Sequence, residues 1–199
     1  MFVFDEFKIL RRGAIRITPG LSAPAVFFAK IERICDFLLS LHQNKINLMK
    51  KTLDILSLLL VLANVAISCL FYFNTKEISI PIHWTTVGQM ETYGETWMIL
   101  LLAGISVMVY LLMVVSEKHH VVNLPFKVKH EISARPYMDI MLAWTNFLVM
   151  LVLLYVDLAV AQYIKLSMPL LYSFIIIICI VDFYYTRKIY QCGREKTEE

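Results

Sequence analysis

Along this chain the apolar residues neither alternate nor recur on one helical face; they run on. Four stretches do so for nearly the twenty residues that a helix rising 1.5 Å per residue needs to cross a hydrocarbon core about 30 Å thick. Ile55 to Phe73 is broken only by Asn64 and two serines, and Trp97 to Val115 carries no ionisable group except the phenol of Tyr110. Ile140 to Val156 is uncharged and extends past Asp157 towards Gln162, and Leu166 to Val181 continues through Asp182 to Tyr185. The pattern predicts an all-α fold: an integral membrane four-helix bundle with spans at about 54–73, 97–116, 139–161 and 166–185. The last two form a hairpin of helices, closed by a short polar turn at Gln162–Lys165 with Pro169 in the first turn of the second.

Residues 1–48 break the pattern. From Ala25 to Leu41, Phe27, Ile31, Ile34, Leu38 and Leu41 share one stripe while Glu32, Arg33 and Asp36 lie on the other side, as in an interfacial amphipathic helix. The same arm also reads as an extension upstream of a native start, because Met49-Lys50-Lys51 directly before an apolar span is a short basic leader. Two regions are therefore expected, a 1–48 cytoplasmic arm and a 49–199 four-span membrane domain.

Basic residues set the orientation. Lys45, Lys50 and Lys51 precede the first span, Lys118, Lys127, Lys129 and Arg135 separate the second from the third, and Arg187, Lys188, Arg194 and Lys196 follow the fourth. The other two connections hold only Lys76 and Lys165. Cytoplasmic loops retain positive charge, so both termini are expected inside and the 74–96 loop and 162–166 turn outside, in the cell inner (cytoplasmic) membrane.

Composition agrees, with 59% hydrophobic and 18% charged residues and a mean hydropathy of +0.66. A net charge of +3 is too balanced for nucleic-acid binding. Cys35, Cys69, Cys179 and Cys192 lie far apart with no metal-ligand spacing, and Cys69 and Cys179 fall near opposite leaflets. No cofactor is called for.

Polar residues inside spans and in loops are where function is sought in such a chain. Asn64 and Asn146 read as interhelical glue, and Asp157 and Lys165 as a pair across the outer turn. The outer loop is the richest segment. Pro81 fixes an extended entry, Gly88 and Gly94 permit turns closed to other residues, and three large aromatics intervene. A tether would be polar and rich in serine or glycine, so an ordered loop is expected. His83 with Glu91 and Glu95 offers only an incomplete ligand set for a divalent metal, and the reading preferred is structural, the imidazole hydrogen-bonding the loop's own backbone. His119 and His120, being adjacent, point in different directions.

Pro81, His83, Trp84, Gly88, Glu91, Tyr93 and Gly94 form an I-P-x-H-W-x-x-x-G-x-x-E-x-Y-G segment. It resembles the domain of unknown function 1648, a family of bacterial integral membrane proteins related to Sdp-type toxin immunity proteins. A second similarity is His119-His120-Val-Val-Asn123-Leu-Pro125 after the second span. The resemblance covers about Asp54 to Tyr163; Thr85 and Thr96 depart from the family pattern. It implies a multi-pass protein of mostly unassigned activity, with immunity and signalling among its relatives, and makes the seven loop residues together with His119, Asn123 and Pro125 the candidate site.

Three function classes follow. A non-enzymatic protein would recognise a peptide or envelope partner through the outer loop, alone or as a homo-oligomer in the bilayer. A small-solute or ion permease subunit needs a polar path, which the scarcity of intramembrane charge argues against. An integral-membrane enzyme would have to use His83 and Glu91, in a chain with no HExxH, GxSxG, CxxC or P-loop.

Overall fold

The computed structural model describes residues 23–76, 79–119, 124–126, 128 and 131–194, the side chains of 23–39, 42, 131–133 and 193–194 excepted. Its elements are α1 (Ala23–Asn74), β1 (Ser79–Trp84), β2 (Met90–Glu95), α2 (Met98–Lys118), α3 (Glu131–Val160) and α4 (Met168–Arg194). The chain divides into two compact units, Met1–Leu48 and Met49–Glu199. In the first, the described residues are helical and Gln43 Nε2 donates to Asn47 Oδ1 at 3.3 Å. The side chains that would make its amphipathic stripe lie outside the described residues, Leu41 excepted. All that follows concerns the second unit.

Four helices contain segments long and apolar enough to cross a membrane: Gln43–Asn74, Met98–Lys118, Ala134–Val160 and Met168–Cys192. Such a set belongs to a multi-pass membrane protein. The outward residues fit lipid contact, with Leu58, Leu62, Met108, Leu112, Ile176 and Phe183 all exposed. α3 is the most enclosed, approached closely by α2, α4 and β1, and it buries Ile140, Met141, Leu142 and Ala143 in succession, a whole turn. At one end Ala134, Met138 and Met141 of α3 meet Ile189 of α4 beneath Phe126 and Tyr185. At the other, Phe71, Ile80, Ile99 and the consecutive Val160 and Ala161 converge from α1, β1, α2 and the end of α3.

The helix ends use recognisable chemistry. α3 stops because Gln162 takes a left-handed conformation, φ 61°. The Tyr163 N–H then reaches the Leu158 carbonyl at 3.0 Å and the Gln162 N–H that of Ala159 at 3.1 Å, the double bond of a Schellman cap. α4 starts at Ser167, whose carbonyl accepts the Leu171 N–H at 3.0 Å and whose own N–H donates to the Tyr155 hydroxyl at 2.7 Å. Pro169 occupies the first turn, where a missing N–H costs nothing.

The structure corrects three sequence readings. The expected all-α fold carries a two-stranded antiparallel sheet between α1 and α2. Asn64 does not glue helices: both amide atoms are buried without a hydrogen-bond partner, as is Asn146 Oδ1. Asp157 turns away from the exposed Lys165 and accepts the Ser68 hydroxyl at 2.9 and 3.0 Å. Serines elsewhere satisfy themselves within their helix, Ser57 on the Leu53 carbonyl and Ser106 on that of Leu102. Cys69 and Cys179 are free thiols.

Candidate functional site

The hairpin turns through Thr85–Gln89. The Gly88 N–H bonds to the Thr85 carbonyl at 2.8 Å and the Thr85 N–H to the Gln89 carbonyl at 2.8 Å, with the Thr85 hydroxyl accepting the Gln89 N–H at 3.1 Å. This is a three-residue connection whose last member must be left-handed, and Gly88 supplies it with φ 82°. Gly88 also lies tight against the α3–α4 turn: a Cβ there would stand 2.8 Å from the Leu166 carbonyl oxygen. Gly94 serves differently. It pairs with Ile80 inside β2 without positive φ, and a Cβ would meet Met98 Sδ at 2.6 Å and Ile82 Cγ2 at 2.9 Å. The reading that Gly94 makes a turn is thus replaced by one of close packing.

An isolated two-stranded hairpin is marginal in water and needs a surface to pack on. Ile80 and Pro81 are buried and Trp84 is half-buried, and Ile80 and Trp84 join the cluster with Phe71, Ile99 and Val160. Pro81 is tolerated because a two-stranded sheet is all edge. Register irregularities flank His83, which pairs with Thr92 while Pro81 pairs with Tyr93 and Trp84 with Met90. Such bulges re-aim side chains.

The site residues divide accordingly. Pro81, Trp84, Gly88 and Gly94 hold the hairpin; His83, Glu91 and Tyr93 are exposed on it. His83 Nε2 lies 3.3 Å from Glu91 Oε2, with the side chains 65% and 56% exposed. Glu95 belongs to a different pair, its Oε2 accepting the Trp97 Nε1–H at 2.6 Å, so the three candidate metal ligands do not converge. Among the described residues no group of three His, Cys, Asp or Glu does. The Tyr93 hydroxyl lies 3.7 Å from Met90 Sδ.

The second motif is split. His119 is the exposed C-cap of α2, its N–H on the Val115 carbonyl at 3.0 Å, and Pro125 is exposed. His120 and Asn123 lie outside the described residues.

Sequence reasoning missed a set of polar contacts between the helices, buried or partly buried. Besides Ser68–Asp157, the Thr145 hydroxyl donates to Asp182 Oδ1 at 2.6 Å, and Lys50 forms an ion pair with Glu117. Asp54 and Asp139 also act on Lys50. Among residues buried to within 2% are Asn64 and Asp157. The sequence signal was present in the rarity of these residues within apolar runs, but their pairing across 89 and 37 positions was not. Compared with protein-family models, curated proteins and solved structures, the chain matches none.

Proposed function

We propose that this is a non-enzymatic, multi-pass bacterial inner-membrane protein, both termini cytoplasmic, that recognises a peptide or envelope protein through the β1–β2 hairpin. In this reading it is of the domain of unknown function 1648 type, acting in immunity or signalling. The observation that carries it is the division of labour in the hairpin. The residues that bury it hold it in place, and those left over, His83, Glu91 and Tyr93, are an imidazole–carboxylate pair and an aromatic ring in solvent. Rigid aromatic and charged groups supply contact area at little entropic cost. Among the described residues the sheet has two strands, so an extended peptide can add along an open edge, main chain to main chain, with those side chains selecting it.

The test is a photoreactive phenylalanine analogue placed at Tyr93 in living cells. The account expects a protein or peptide adduct there and none from the same group at Met108, which faces outward on α2. Equal adducts at both positions would sink the reading.

A second reading, a small-solute or ion permease subunit, draws support from the buried polar residues inside the helices, Asp157 and Asn64 above all.

A further inference from the structure

Asp157 has no solvent-exposed surface and lies inside the Ala134–Val160 segment. Its hydrogen-bonded partner is Ser68 of α1, a neutral hydroxyl. Among the described residues, no charged side chain from α1, α2, α4 or the hairpin acts on it. The adjoining Val156, Val160 and Ala161 pack into the apolar cluster around Ile80 and Ile99. An ionised carboxylate in such surroundings is costly unless a positive charge accompanies it.

Two further features point to such a charge. Asn64 sits one helical turn before Ser68 on the same buried face of α1, 1% exposed, with Oδ1 and Nδ2 both unpartnered. The C-terminal ends of α1 and α3 also lie side by side, as the Ser68–Asp157 bonds and the Phe71–Tyr163 ring contact at 6.3 Å require. Helix C-termini carry partial negative charge, and two of them together favour a cation.

We infer that Asp157, Ser68 and Asn64 together make a binding site for a small monovalent cation, a proton or a sodium ion, where the C-terminal ends of α1 and α3 meet. A sodium ion takes oxygen ligands from the Asp157 carboxylate, Ser68 Oγ and Asn64 Oδ1. A proton, drawn from solvent, bonds to one carboxylate oxygen, and Ser68 turns from donor to acceptor. Either way the cation holds α1 to α3 beside the hairpin. The inference is independent of the proposed recognition function, since its test uses no partner.

The full chain is reconstituted in phospholipid nanodiscs. Its thermal unfolding midpoint is followed as sodium chloride replaces choline chloride at constant ionic strength, and as sodium-free buffer is taken from mildly basic to mildly acidic pH. The expected result is a saturable rise in the midpoint that Asp157→Asn abolishes; Ser68→Ala shifts the apparent affinity about tenfold, the worth of one hydrogen bond to a charged group, weaker for sodium, which loses an oxygen ligand, and tighter for a proton, because the ionised carboxylate loses its hydroxyl donor. A response to sodium identifies the alkali ion. A response to acid alone, with a carboxylic C=O infrared band lost in Asp157→Asn, identifies the proton. If Asp157→Asn responds to sodium and acid as the wild type does, the inference is overturned. Should Asp157→Asn fail to accumulate, Asn64→Leu and Ser68→Ala decide it, and unchanged affinity in both overturns it equally.

Discussion

Gly88 at the tip of the hairpin and Leu166 in the α3–α4 turn are so close that a Cβ on Gly88 would stand 2.8 Å from the Leu166 carbonyl oxygen. Two connections far apart in sequence are therefore fitted to each other through backbone, with no side chain between them to yield. Both requirements at Gly88, positive φ and close approach, forbid a side chain.

Gly88→Ala is accordingly expected to destabilise the protein by about 1–3 kcal/mol, the usual cost of a strained backbone position. Membrane abundance and unfolding midpoint in detergent both measure it. Gly94→Ala should cost less, because the nearest atom is the flexible end of Met98, and Met98→Ala should restore most of the loss. No rescue by Met98→Ala would mean that the Ile82 contact governs.

Gln162 presents the opposite case, a side chain where glycine is at ease. Replacing it with Gly relieves a left-handed strain of about 1–2 kcal/mol while adding some unfolded-state freedom, so a net gain of about 0.5–1 kcal/mol is expected. A lower unfolding midpoint for Gln162→Gly would show that the exposed glutamine makes a compensating contact.

The Lys50–Glu117 ion pair ties α1 to α2, with side chains 29% and 14% exposed. Lys50→Glu should lower abundance by placing two like charges together beside Asp54 and Asp139. Adding Glu117→Lys should recover part of it, a coupling of about 1 kcal/mol at this partial exposure. Independence of the two changes would show that the pair contributes nothing.

Topology has its own check. Under the orientation proposed, Thr86→Cys in the hairpin turn is labelled by a membrane-impermeant thiol reagent in intact cells and Thr197→Cys only after permeabilisation. Labelling of Thr197→Cys in intact cells contradicts it.

The long elements were legible because four uncharged runs near twenty residues admit little besides membrane-crossing helices, and the structure has four helices containing such segments. The order of the 79–95 loop was legible from Pro81, Gly88 and its aromatics, but its strands were not: Ser79–Trp84 is six residues interrupted by a proline, and its pairing slips at His83. The end of α3 was legible as the polar turn at Gln162–Lys165, but the left-handed conformation of Gln162 was not, because the residue is neither Gly nor Asn. Asp157 looked like a water-facing helix end, since no local pattern in sequence announces that Ser68, 89 positions away, will cover it. Asn64 illustrates the same limit: the residue is conspicuous in its apolar run, but whether its amide finds a partner depends on the neighbouring helix.

The proposed recognition surface rests on His83 and Glu91, exposed together at 3.3 Å on a hairpin held by other residues. Its most direct test is the yield of the Tyr93 photo-adduct per inserted molecule in wild type and in His83→Ala. The account predicts unchanged abundance, since His83 is exposed and buries little, and an adduct yield lower by about tenfold, the worth of one contact of about 1.4 kcal/mol. An unchanged yield per inserted molecule would contradict it and remove His83 from the site.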